Sequence, residues 1–483
     1  MTIRFDDSLP TLAQVVAETL GEKVLAAGVA VRDTTGRLCF FAASELDETT
    51  VERLSDRLRI ALGPYARSDR VAAGATDYGV TQVLTDPAAL TVAAGAYRVR
   101  LLDRRLVGAD WLRAPFPAAP PPPRFVFASL KGGVGRSTAL AVTAADLASH
   151  GLRVLAIDLD LEAPGLGPML LDEGTLPEFG VLDALVENGL APLDETFLTD
   201  LVGPSGLAGG RGRIDVIPVL GRRSLSHPAD VLAKLARAYV EDIGPDGNVA
   251  TVLDQIRTLV DSFADPRRYD AILVDARAGL HETTAAALLG LGAEVFLFGL
   301  DEPQTYQGLT ALLSHLARFV DREQGAPEWL GRLTLVQGKA TQGHPARQAF
   351  AQRCQTMFTD VGLGPMTPTA APELPVAGIF RDIPWDDTAP DAAVLPDEDW
   401  QPRTPLAVAD DPRFRGFDPQ VRPDLLAEPV YRSAFGQLLD QIHDALPILI
   451  PVGLDSLIAG TPMIGVGSLR RSETPAPGDE DRQ

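Results

Sequence analysis

The sequence predicts an α/β protein: a mostly parallel β-sheet with helices on both faces, preceded by a small α+β N-terminal domain. Three observations predict it. From Arg124 onward, apolar runs of strand length alternate with amphipathic runs of helix length, the pattern of strands joined by crossover helices. A proline-rich run, "PFPAAPPPPR" (115–124), divides this region from a shorter one of different rhythm. The chain has 483 residues, 46% of them hydrophobic and 22% charged, which is globular composition with room for more than one core.

The N-terminal elements follow from local pattern. "TLAQVVAETLG" (11–21) reads as a helix, and "KVLAAGVAVRDTTGRLCFFAA" (23–43) as two strands about a Thr-Thr-Gly turn. "ETTVERLSDRLRIAL" (48–62) places Val51, Leu54, Leu58 and Leu62 on one helical face. "AYRVRLLD" (96–103) closes the sheet. This α+β module, 1–114, carries no catalytic constellation and reads as a partner-binding or regulatory unit, joined by a linker at 115–123.

Beyond the linker, strands are expected at 124–130, 153–159, 214–219, 269–275, 294–299, 332–337 and 378–383. Helices are expected near 137–150, 229–241, 249–263, 281–291 and 305–320, with a closing helix at 430–446. The large domain therefore runs from 124 to 446, and 447–483 is a C-terminal extension whose charged, proline-bearing tail predicts disorder.

The chemistry centres on "FVFASLKGGVGRSTALAV" (125–142). A strand enters a glycine-rich loop and a helix leaves it, the context that a phosphate-binding loop requires. Gly132, Gly133, Val134 and Gly135 bring backbone N–H groups around a polyphosphate, and the helix N-terminus adds positive potential. Ser137 is the expected Mg²⁺ ligand and Thr138 the partner of an α-phosphate oxygen.

"KGGVGRST" resembles the deviant Walker A motif of the MinD/ParA-type P-loop ATPases, whose pattern is K-G-G-x-G-K-[ST]; the resemblance spans roughly 124–446. It implies a P-loop NTPase fold, ATP and Mg²⁺ as cofactors, and a homodimer formed across nucleotide in which Lys131 reaches the partner's phosphates. The departure is Arg136, where the pattern has lysine; this K-G-G-V-G-R form marks a variant subgroup. Only four lysines stand in the chain, at 23, 131, 234 and 339, so arginine is its default cation and Lys131 a pointed exception. A guanidinium keeps the charge of an ammonium but is a broad planar fork rather than a point charge. Retained nucleotide binding with slow hydrolysis is the resulting expectation, with Lys131, Asp160 and Arg136 as the catalytic set.

"RVLAIDLDLEAPGLG" (153–167) corresponds to switch I of that family. The resemblance assigns Asp160 to the attacking water and Asp158 to the metal. "RYDAILVDARAGLHETT" (268–284) has the form of a Walker B strand ending on Asp275, a further metal residue. Gly279 is a candidate donor to a γ-phosphate, and Arg277 either a transition-state cation or an ion-pair partner of Glu162 or Asp160. The family's base-contacting positions fall on Gln337, Pro384 and Trp385; Glu302 falls at a dimer face.

Charge and composition exclude other classes. The balance of 43 basic and 65 acidic residues gives −22, which argues against nucleic acid and anionic membrane as partners. The apolar run 445–469 is broken by three prolines and Asp455, so it is no membrane span. Two cysteines, Cys39 and Cys354, have no disulfide or metal spacing and suit a reducing cytoplasm. A protein partner held by the N-terminal module is the remaining expectation. The alternative to a hydrolysing switch is a non-hydrolysing ATP-binding scaffold; a tyrosine kinase lacks its tyrosine-rich tail.

Overall fold

The computed structural model describes residues 3–446 apart from 192, 244–248, 322–324, 342 and 366–399. The N-terminal sheet comprises β1 (Val29–Arg32), β2 (Leu38–Phe41), β3 (Ala72–Ala73), β4 (Leu90–Ala94) and β5 (Tyr97–Asp103), in the order β3-β2-β1-β5-β4. Helices Phe5–Leu20 and Glu48–Leu62 pack on one face around Leu12, Val16, Leu54, Leu58 and Leu62. Asp47 caps the second helix by accepting the Thr50 N–H. One expectation is corrected here. Residues 22–27 form a short helix rather than the start of a strand. Glu, Lys, Leu and Ala are all better helix formers than strand formers, and β1 begins only at Val29.

The large sheet takes β6 (Arg124–Ser129), β7 (Arg153–Asp158), β8 (Gly203–Pro204) and β9 (Arg213–Ile217). A separate hairpin pairs β10 (Asp242–Ile243) with β11 (Val249–Ala250). The sheet is completed by β12 (Ala271–Ala278), β13 (Glu294–Gly299), β14 (Leu333–Ala340) and β15 (Leu406–Ala409). Its order is β15-β14-β13-β6-β12-β7-β9-β8, and only the short edge strand β8 runs antiparallel. Central strands buried on both faces are continuously apolar, as "FVFA" and "AILV" are. The helices Arg136–Ser149, Val252–Ser262, Pro303–Leu316 and Glu428–Asp444 agree with expectation to within four residues. Helices Val181–Asn188 and His344–Asp360, and strand β15, were not legible in the sequence. The strand expected at 378–383 lies outside the described residues.

The proline-rich connector is docked rather than free. Phe116 and Ala119 donate backbone N–H bonds to the Leu289 and Gly292 carbonyls at 2.8 and 2.9 Å. Just before it, Trp111 is buried in the large core. Asp110 accepts the Leu253 N–H at 2.8 Å, and Arg113 pairs with Asp254 at 2.6 Å. Gly108 donates its N–H to Glu282, at the start of the helix following β12. The segment leaving the N-terminal sheet is thereby tied to the large core at several points.

Candidate functional site

The site lies where β6, β7 and β12 end side by side. Parallel register pairs Asp275 with Phe127 on one side and with Asp158 on the other. Two acids thus meet at the carboxyl edge of the sheet, directly beneath the loop that leaves β6. Gly133 and Gly135 adopt φ of 76° and 95°, the left-handed region open to glycine. An added Cβ at Gly132, Gly133 or Gly135 would meet no atom within 4 Å, so the loop presents an open concave face. Helix Arg136–Ser149 starts immediately, leaving the first-turn N–H groups directed out of its N-terminus.

Beneath the loop, Ser137 donates its hydroxyl to Asp275 Oδ2 at 2.5 Å. Arg136, only 8% exposed, turns inward. Its Nε donates to Asp275 Oδ1 at 2.5 Å and its Nη2 to Asp160 Oδ2 at 3.0 Å. The guanidinium fork thereby bridges the ends of β7 and β12. Burial opposes its charge, but Asp275 and Asp160 outweigh burial and hold it above its ordinary range. Asp275 is itself raised by burial, against the pull of Arg136 and Ser137.

Asp158, expected beside a metal, is turned toward the backbone. Its carboxylate accepts the N–H groups of Asp160, Gly165 and Leu166, each at 3.0 Å. Burial, then Asp275, push it up to about 7 despite those donors. It braces the loop that carries Asp160; of the three residues expected at a metal, only Ser137 and Asp275 are in contact with each other.

Lys131, at the loop's front, places Nζ 2.6 Å from Glu302 Oε2 at the head of helix Pro303–Leu316. Both side chains are partly exposed, beside a cavity of about 350 Å³ lined by Leu130, Gly279, Gln304 and Gly308. Gly279 N–H, a candidate phosphate donor by sequence, is used within the fold: it donates to the Ser129 carbonyl at 2.9 Å. Arg277 pairs with Glu162, which also accepts the Tyr239 hydroxyl at 2.6 Å. The ion-pair reading of Arg277 is the one the geometry supports.

A second cavity, about 340 Å³, opens beside Gly133, Gly135 and Thr138. It is within the size range of ligand pockets. Its walls are Lys339, Asp410, Phe414 and Phe417, with Val134 at the loop side. A Cβ on Gly338 would strike the Val134 carbonyl oxygen, so glycine lets β14 approach the loop. Gln337 is buried within β14 and is not among the lining residues. Pro384 and Trp385 lie outside the described residues. Sequence reasoning missed Asp410, Phe414 and Phe417; "AVADDPRFRGF" (407–417), a short apolar run closed by Asp-Asp-Pro, was the available signal.

A glycine loop between strand and helix, with an acid near the carboxyl end of each of two adjacent strands, β12 and β7, defines a P-loop nucleotide-binding domain. Residues 125–272 match the family model of the CobQ/CobB/MinD/ParA nucleotide binding domain. No curated protein matches the sequence significantly. Among solved structures, the chain is similar to a ParA family ATPase from Chlorobium tepidum TLS (20% identity, 49% of this chain and 81% of that one, TM-score 0.31). It is similar also to the cell division ATPase MinD of Pyrococcus furiosus (17% identity, 67% and 98%, TM-score 0.38). A third is the septum site-determining protein MinD complexed with Mg-ADP from Pyrococcus horikoshii OT3 (15% identity, 66% and 95%, TM-score 0.36). No helix among the described residues is long and apolar enough to cross a membrane.

Proposed function

We propose that the protein is an ATP-binding, slowly hydrolysing switch whose bound nucleotide controls self-association and the binding of a protein partner to the N-terminal module. The observation that carries this reading is the junction of Ser137, Arg136, Asp275 and Asp160, which joins the loop to both acidic strand ends. The donor chemistry fits Mg-ATP. An open glycine cradle and a helix N-terminus suit a polyphosphate, and a hydroxyl beside a carboxylate suits a hard cation. Gly132, Gly133, Val134, Gly135 and Thr138 would hold the phosphates, Ser137 and Asp275 the Mg²⁺. Mg²⁺ supplies charge neutralisation at the phosphates.

The chain's own groups do the rest. Asp160 is the residue to orient a water, provided Arg136 yields its Nη2 contact; that competition is the reason hydrolysis is slow. Lys131 reaches a second subunit once it leaves Glu302. Movement of the helix that begins at Glu282 passes to the N-terminal module through Gly108. The net charge and the absence of a basic cluster in the sequence speak against nucleic acid and membrane as partners.

The test is phosphate release and solution mass on the purified protein with Mg-ATP, for wild type, Asp160→Ala and Lys131→Ala. Turnover by wild type, a dimer trapped by Asp160→Ala and none formed by Lys131→Ala is the expected result. ATP binding with neither turnover nor a mass change sinks the switch and favours the non-hydrolysing scaffold.

A further inference from the structure

At the far end of the loop helix, three side chains converge that the nucleotide site does not use. Asp146 and His150 stand one turn apart on helix Arg136–Ser149 and its C-cap, the i,i+4 spacing that puts both on one face. His443 comes to meet them from the C-terminal helix Glu428–Asp444. We propose that Asp146, His150 and His443 form a binding site for one divalent transition-metal ion of the Zn²⁺ class, which pins the C-terminal helix to the loop helix.

The geometry is that of a site needing small adjustment. One potential ligand atom from each residue lies within 4.8 Å of the others. His443 Nε2 is 2.6 Å from Asp146 Oδ2, and His150 Nδ1 is 3.9 Å from the same oxygen. Bonds of about 2.0–2.1 Å in tetrahedral array put ligand atoms roughly 3.3 Å apart. The first distance must open and the second close by about 0.6–0.7 Å, within the reach of side-chain rotation. His150 is half exposed, and the two imidazoles already meet edge to face with centroids 4.9 Å apart.

The surroundings are built. Asp146 is wholly buried, and its ion pairs among the described residues are with these two imidazoles alone. Its second oxygen, Oδ1, accepts the Tyr431 hydroxyl at 2.8 Å, which fixes the carboxylate and leaves Oδ2 directed at the histidines. Outer partners of this kind orient metal ligands. His150 Nδ1 also lies 2.8 Å from the Asp146 carbonyl oxygen and 3.3 Å from Ser149 Oγ, contacts that the ring gives up when this nitrogen, deprotonated, turns to the metal ion. Two imidazoles and one carboxylate select Zn²⁺, Co²⁺, Ni²⁺ or Cu²⁺ over Mg²⁺ or Ca²⁺. At 1.5 Å per residue, the site lies about 15–21 Å from the phosphate loop along its own helix, so it is separate from a nucleotide-bound cation.

The experiment is a titration of the full chain, tag-free and chelator-treated, with Zn²⁺ by calorimetry and with Co²⁺ by visible absorption. Both are run at pH 7.5 on wild type, His150→Ala and His443→Gln. The expected result is one ion per wild-type chain at micromolar affinity or tighter, a tetrahedral Co²⁺ band, and at least tenfold weaker binding in each variant. Zn²⁺ raises the melting temperature of wild type and of neither variant. His150→Ala removes a half-exposed ring and leaves the fold intact by circular dichroism, so it keeps the test decisive if His443→Gln misfolds. No ion bound by wild type, or equal binding by wild type and His150→Ala, overturns the proposal.

Discussion

Arg136 and Asp275 are joined within the domain by a 2.5 Å hydrogen bond from Nε to Oδ1, and the same guanidinium reaches Asp160 with Nη2 at 3.0 Å. The arginine that departs from the loop pattern is therefore the bridge between the two acids on which hydrolysis depends in the proposed mechanism. Lysine, a single ammonium, cannot match both contacts with the same planar fork.

Arg136→Lys should accordingly free Asp160 and raise phosphate release several-fold while nucleotide affinity changes little. Arg136→Ala should instead leave two buried carboxylates without their cation. Breaking a buried pair from one side costs about 3–5 kcal/mol, read as a lower urea midpoint. Phosphate release for Arg136→Lys at or below wild type would count against the bridge as a brake.

Glu302→Gln separates stability from association. The Lys131–Glu302 pair is about 36% and 40% exposed, and exposed pairs contribute about 0–1 kcal/mol, so the melting temperature should scarcely move. Lys131 is released, however, and the ATP-dependent dimer should form at lower protein concentration. Light scattering across a dilution series checks this; an unchanged dimerisation midpoint removes the pair from the switch.

Phe414→Ala tests the base side. Phe414 lines the cavity beside the loop and packs edge-on against Phe435 at 5.0 Å. Loss of an aromatic wall worth about 0.5–1.5 kcal/mol should weaken binding of a fluorescent ATP analogue roughly two- to tenfold. Inorganic triphosphate affinity should be unaffected, because the loop contacts are retained.

His443 gives a pH dependence in metal-free protein. Its hydrogen bond to Asp146, opposed by burial, raises its pKa above 6.5. A folded value above the unfolded one means that the imidazolium stabilises the fold fully below about 6.5 and that this contribution is lost as pH rises through the raised value. Asp146, pushed up by burial but pulled down further by His443 and Tyr431, is lowered, so its contribution is lost only in acid, as pH falls through the lowered value. Denaturant unfolding should show wild type exceeding His443→Gln by more at pH 6 than at pH 9. Equal differences at the two pH values would dismiss the ion pair.

What the sequence by itself determined is what lies within a few residues of itself. The glycine loop between strand and helix, the apolar runs that lead into Asp158 and Asp275, and the amphipathic face of Leu54, Leu58 and Leu62 are all local, because steric freedom and side-chain periodicity are local properties. Tertiary structure alone decided the partners of the charged side chains. Arg136 meets Asp275 because parallel register lays β12 beside β6. Asp158 turns to three backbone N–H groups because the chain doubles back at Gly165 and Leu166. His443 meets Asp146 because the C-terminal helix returns to the loop helix almost three hundred residues later. A buried charge takes its partner from whatever the fold brings within reach, and no local periodicity encodes a contact made across the sheet.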